Sequence, residues 1–184
     1  MNESTSLSVV IGLVVYNPSP NEQQIIAKLI DSRFPLLIVD NSIKLTNSIE
    51  SNLSHNELWV LSRDTNIGLS KAYNLFLSRA KELNYKYVLL LDQDSDFDTA
   101  GIPVMLQGFR QVDNQQKVGQ ICPAVSYLHE SGRVACNIKG FKPVDWAISS
   151  GSLVNVDIGL SIGGFDDFYF IDRVDADFCW LLKK

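Results

Sequence analysis

Two carboxylates separated by one residue, Asp92-Gln93-Asp94, close a strongly apolar run, Tyr87–Leu91. Alternate side chains of an extended segment point the same way, so both carboxylates can face one site. Held close and unpaired they repel, and at least one becomes harder to ionise. A divalent cation relieves that repulsion, and oxygen donors suit Mg2+ or Mn2+. The competing reading is a polar turn, with Asp94 or Ser95 capping the segment that follows.

A second acidic group is denser. Asp166, Asp167, Asp172, Asp175 and Asp177 fall within twelve residues, interleaved with Phe165, Phe168, Tyr169, Phe170, Phe178 and Trp180. A solvated acidic face is the ordinary reading of such a run. The aromatics argue that part of it is buried, and a carboxylate against apolar walls acquires the raised pKa of a general base. Asp40-Asn41-Ser42 follows another apolar run. It can accept from a base N–H or ribose hydroxyls, or form a simple Asx turn. Arg63-Asp64-Thr65-Asn66-Ile67-Gly68 precedes a helical pattern. There Gly68 permits close backbone approach and a helix N-terminus favours anions, or the segment is an ordinary helix cap. His55 and His129 stand apart in loop-like segments, and no G-x-S-x-G, P-loop or G-x-G-x-x-G motif is present.

The elements that must position these groups alternate. Leu7–Tyr16, Leu36–Val39, Leu58–Leu61 and Tyr87–Leu91 read as strands buried on both faces. Helical spacing falls between them at Asn21–Ile30, weakly around Leu45–Leu53, and from Leu69 to Leu83. Repeated β-α-β implies a parallel sheet with right-handed crossovers and a ligand crevice beyond the strands' carboxyl ends, where Asn17, Asp40 and Asp92 lie. Beyond Asp94, a helix is expected over Ile102–Val112, strands over Val118–Tyr127 and Val134–Ile138 around a turn at Glu130-Ser131-Gly132, and a strand over Ile148–Val156. A tight turn at Gly163-Gly164-Phe165 and a helix from Val174 to Lys184 complete the pattern.

The 184 residues suit one domain, and 46% hydrophobic content is enough to fill a core. A net charge of −5 disfavours a nucleic-acid polymer as partner but not a single nucleotide. Cys122, Cys136 and Cys179 show no C-x-x-C spacing and read as reduced thiols of a cytosolic protein. No signal peptide is visible and no apolar run approaches the ~18–20 residues of a membrane span, so any membrane contact is peripheral.

Taken in order, VVYNP (14–18), IVDNS (38–42), NIGLSKAYN (66–74), VLLLDQDS (88–95), ISSGSLVN (148–155) and GGFDDFYFIDRVDADFCWLL (163–182) resemble glycosyltransferase family 2, in its bacterial rhamnosyltransferase-like branch. The resemblance implies an α/β GT-A fold: a Rossmann-like, mostly parallel sheet flanked by helices, here C-terminally shortened. Residues 1–184 form one catalytic domain, with a nucleotide-binding half to about 98 and a donor-sugar and acceptor half beyond it. It implies an inverting, metal-dependent enzyme moving a sugar, such as rhamnose from dTDP-rhamnose, to a polysaccharide or lipid-linked acceptor in the cytoplasm or at the inner membrane face.

Carried over by position, Asn17, Asp40, Arg63, Asn66, Gly68 and Asp92 line the nucleotide. Asp94, with Asp92, holds the divalent cation. Ser150, Gly151 and Asp177 lie beside donor sugar and acceptor. Asp175 aligns with the catalytic base and Asp172 is its nearby substitute. The family's Glu-Asp pair is Val174-Asp175 here, and the basic residues of the final helix reduce to Lys183 and Lys184. Family members commonly run on beyond this point, so a non-catalytic nucleotide- or partner-binding module is the alternative. A nucleotidyltransferase would carry a glycine- and basic-rich loop after the first strand, and Val15-Tyr16-Asn17-Pro18 offers none.

Overall fold

The computed structural model describes residues 8–32, 34–44, 49, 58–62, 65–112, 118–123 and 140–184. Arg63, Cys136, His55, His129, the weak helical pattern around Leu45–Leu53 apart from Ile49, and the strand expected over Val134–Ile138 lie outside them.

Six strands form one sheet in the order β3-β2-β1-β4-β6-β5. β1 (Val9–Val15) is central and runs parallel to β2 (Leu36–Asp40) and to β4 (Tyr87–Asp92), while β3 (Leu58–Ser62) pairs parallel with β2. β6 (Leu153–Asn155) runs antiparallel to β4, and β5 (Gln120–Ile121) antiparallel to β6. The sheet is therefore mostly parallel, with an antiparallel flank.

Helices cover both faces, which is why β1 is buried at every position. Val9, Ile11, Leu13 and Val15 pack on one side with Ile26, Leu29 and Ile30 of α1 (Pro20–Ile30) and Met105, Leu106 and Phe109 of α3 (Ile102–Val112). Val10 and Val14 pack on the other with Tyr73, Phe76 and Leu77 of α2 (Gly68–Glu82) and Val174 and Phe178 of α5 (Val174–Leu181). Each such fully buried side chain contributes about 1.5–3 kcal/mol. Gly12 belongs to the second face, where the Phe76 ring takes the space: a Cβ at Gly12 would lie 2.5 Å from it.

The ends of the elements follow from local chemistry. Ser19 caps α1 in a reciprocal box with Glu22, and Pro20 fills the first helical position. The Ser19 contacts hold the Glu22 carboxyl below its ordinary pKa. The strand expected over Ile148–Val156 is shorter. Ser149–Ser152 form a turn around Gly151, whose φ is +81°, closed by Ser152 N–H on the Ser149 carbonyl at 3.0 Å. β6 then spans only Leu153–Asn155, because the Asn155 side chain accepts from Ile158 N–H and starts α4 (Val156–Ser161). That helix was not expected.

Candidate active site

β1, β2 and β3 spread to one side of the sheet, whereas β4 returns to the other side of β1. In such sheets ligands lie at the carboxyl ends of the two strands flanking this reversal. Here those ends carry Tyr16-Asn17 and Asp92-Gln93-Asp94. Gln93, unassigned from sequence, ties the two together: its Oε1 accepts from Tyr16 N–H at 2.6 Å and its Nε2 donates to Glu22 at 3.1 Å. Asn17 takes a left-handed conformation, φ 44°, and its N–H donates to Ser42 Oγ at 2.7 Å. Ser42 N–H in turn donates to Asp40 Oδ1 at 2.9 Å. Asp40 itself is fully buried, so its carboxylate braces the loop after β2 from within and is not presented at the surface.

Asp92 is half-buried at the end of β4. Its N–H donates to Ser150 Oγ at 3.1 Å, and that hydroxyl shares a 2.6 Å hydrogen bond with Ser95. Tyr73, also unassigned from sequence, donates its phenol O–H to Asp92 Oδ1 at 3.4 Å. Burial, then the charge of Asp94, push the Asp92 carboxyl above its ordinary pKa; hydrogen bonds from Tyr73 and Ser150 oppose this, and Asp175 adds to it. Burial, followed by the Asp92 charge, raises the Tyr73 phenol well above its ordinary value, with Asp175 contributing again. Contacts through Tyr73, Phe165 and Phe178 link the Asp92 end of β4 to the helix that carries Asp175, 83 positions further along the chain.

Asp175 sits half-buried in the first turn of α5, and Asp172 is exposed in the turn before it. Arg173 between them adopts φ 66°, a left-handed entry into the helix. Asp177 Oδ2 is buried with no hydrogen-bond partner among the described residues. Gly151 is buried with its N–H on the Leu90 carbonyl at 2.8 Å, which fixes the Ser149–Ser152 turn beside β4.

The start of α2 is held in part by the chain's own groups. Asn66 Oδ1 accepts from Gly68 N–H at 3.0 Å, and Leu69 N–H donates to the Phe170 carbonyl at 2.7 Å. The N-terminal donors that the sequence offered to an anion are partly satisfied by the chain itself. Gly68 is required for this approach: its φ is +80°, and a Cβ would lie 2.6 Å from the Phe170 oxygen.

Among the described residues no group of three or more His, Cys, Asp or Glu side chains is placed to hold a metal. Asp92 and Asp94 form no ion pair among them, and Asp94 is exposed. Two carboxylates alone are the donor set that Mg2+ accepts when phosphate and water complete its coordination.

No family model matches the chain. It is 26% identical over 183 residues to the dTDP-rhamnosyl transferase RfbF of Shigella flexneri, covering 91% of this chain and 60% of that protein. The crystal structure of S. aureus TarS 1-349 superposes with a TM-score of 0.68 at 16% identity, covering 95% of this chain and 55% of that one. This is a GT-A glycosyltransferase fold. The GT-A match recurs in the TarS 1-349 complex with UDP, TM-score 0.67 at 14% identity, covering 94% and 54% of the two chains. A cytidylyltransferase from Leptospira borgpetersenii superposes less closely, TM-score 0.54 at 11% identity, over 96% of this chain and 71% of that one. The chain spans 60% of the RfbF protein and 55% of the TarS 1-349 chain.

Proposed function

We propose that the chain is the donor-binding and catalytic core of an inverting glycosyltransferase. It takes a nucleotide sugar, with dTDP-rhamnose the first candidate, and passes the sugar to a hydroxyl of a saccharide or lipid-linked saccharide. The observation that carries this reading is the end of β4 where the sheet reverses beside β1: Asp92, bonded to Tyr73 and Ser150, is followed there by the exposed Asp94. The dTDP-rhamnosyl transferase relative supports the donor class, and the UDP complex of TarS supports a nucleotide as ligand.

The half-buried Asp175 accepts the proton of the attacking acceptor hydroxyl, a contribution of about 10²–10⁴-fold for a positioned base. Attack on the face opposite the nucleoside diphosphate gives inversion in one displacement. Asn17, Asn66 and Gly68 shape the nucleotide side, with buried Asp40 setting the loop through Ser42. Ser150, Gly151 and Asp177 are assigned to the sugar and acceptor side. A divalent cation held by Asp94 and Asp92 would supply positive charge to the departing diphosphate. Asp172 is the alternative base. No helix among the described residues is long and apolar enough to cross a membrane, and the reading places the chemistry in the cytoplasm or at the inner membrane face.

A thermal-shift panel of UDP- and dTDP-sugars, with and without Mn2+, followed by donor hydrolysis, tests the proposal. Metal-dependent stabilisation by at least one donor, with slow hydrolysis, is expected. Binding without hydrolysis identifies a nucleotide-binding module instead, and stabilisation by none rejects both.

A further inference from the structure

Asn74 lies in the interior of α2, one residue after Tyr73, and nothing in its own helix explains it. Asparagine is a weak helix former that competes for backbone hydrogen bonds. Its side chain reaches instead to the loop before α5. Nδ2 donates to the Phe165 carbonyl at 2.8 Å and to Asp167 Oδ1 at 2.9 Å, while Oδ1 accepts from Phe165 N–H at 2.8 Å. The amide orientation is fixed by these partners, since a carbonyl only accepts and an N–H only donates. Gly164 completes the fit: its φ is +76°, and any Cβ there would run into Asn74 Oδ1.

Phe165, held on both sides of its peptide, is the hub between the two acidic centres. Its ring stacks on Phe178 of α5 with centroids 4.0 Å apart and planes 13° apart. It also leans on Tyr73, centroids 5.0 Å apart, whose hydroxyl reaches Asp92. Phe178 follows Asp175 by three residues, about one helical turn. A second tie holds the loop further on, where Ser70 Oγ donates to the Tyr169 carbonyl at 2.6 Å.

We propose that Asn74 is a positioning residue: its amide latches the 164–173 loop onto α2 and so sets where Asp175 stands relative to Asp92. The mechanistic half of this rests on the glycosyltransferase reading; the latch itself does not. Misplacing a reacting group by about 1 Å can cost 10²-fold in rate while leaving remote binding contacts intact.

The test compares Asn74→Ala, Asn74→Asp and the double variant Asn74→Asp with Asp167→Asn. Hydrogen exchange over residues 164–178, donor dissociation constant and turnover are measured on each. Asn74→Ala is expected to speed exchange in 164–178 while β1 and β4 stay protected, to leave donor affinity unchanged, and to lower turnover about 10²-fold. Asn74→Asp sets a carboxylate against Asp167 and the Phe165 carbonyl and should do the same. Adding Asp167→Asn returns a donor to the pair and should recover part of both protection and turnover. Unchanged exchange in 164–178 overturns the latch, and faster exchange with wild-type turnover overturns its role in positioning. If the unaltered chain neither binds nor turns over any donor, the glycosyltransferase reading fails, and the exchange result still decides the latch.

Discussion

The hydroxyl of Tyr73, on α2, points at the carboxylate of Asp92, at the end of β4, across 3.4 Å. The phenol is buried and its pKa is driven upward by burial and by Asp92, so it stays a protonated donor. This contact lowers the Asp92 pKa against burial and Asp94, which raise it. Tyr73→Phe keeps the ring and removes the donor. On the proposed cation site, acidification should abolish cation-assisted donor binding as Asp92 protonates, and in Tyr73→Phe that loss should begin at higher pH. A thermal-shift titration with Mn2+ from pH 8 downward, compared with wild type, checks the direction of the shift.

Asp92 also makes stability depend on pH. Its folded pKa lies above the ordinary value of 3.8, so between the two values the folded state binds the more protons. Stability from this group therefore falls as pH rises through that window, and the penalty persists above it. Asp92→Asn removes the charge. Its melting temperature should exceed wild type at neutral pH, with the gap closing as pH approaches 3.8, while donor binding is lost. Calorimetric melting at a series of pH values reads this.

Asp175→Asn keeps shape and removes the proton acceptor. Turnover should fall about 10²–10⁴-fold with donor affinity near wild type. Retained turnover would move the base elsewhere, with Asp172→Asn the next variant to assay.

Asp94→Ala should erase the Mn2+-dependent part of donor binding. A ligand at about 100 times its Kd stabilises by about 2.7 kcal/mol, so the missing increment is readily visible in calorimetry or thermal shift. The protein's own melting temperature without ligand should not fall, since Asp94 is exposed and in no ion pair among the described residues.

Gly12→Ala should destabilise by about 1–3 kcal/mol, the usual cost of overpacking. The Phe76 ring is 2.5 Å from the new Cβ, so Phe76→Leu in the same chain should be less than additive. Urea unfolding of the two single variants and the double variant measures the coupling.

Much of the frame was legible because burial on two faces leaves a simple mark. The apolar runs that became β1, β2 and β4 are nearly continuous, and their polar ends mark the crevice. The direction of β6 was not legible, since antiparallel pairing with β4 depends on where the chain returns and not on the composition of Leu153–Asn155. α4 did have a signal, Asn155 followed by Asp157, but the apolar residues around it read as strand. Asp92 and Asp94 were visible as a pair. Tyr73 and Asn74 fall within the helical spacing from Leu69 to Leu83, which says nothing of what either side chain meets. Only packing reveals that one faces a carboxylate and the other a loop 91 residues away. Asp40 shows the opposite limit: a carboxylate after a strand looks available, yet the fold seals it inside.

β4 is bonded parallel to β1 over six residue pairs and antiparallel to β6 over three. The narrow second seam, Tyr87–Leu89 against Leu153–Asn155, joins the antiparallel flank to the rest of the sheet. A chimera that exchanges everything after Asp98 for the corresponding part of another GT-A protein has only that three-pair register to preserve in the sheet. The sheet is in this respect stitched rather than fused: its antiparallel flank can be exchanged at a short suture while the parallel strands keep their own pleats.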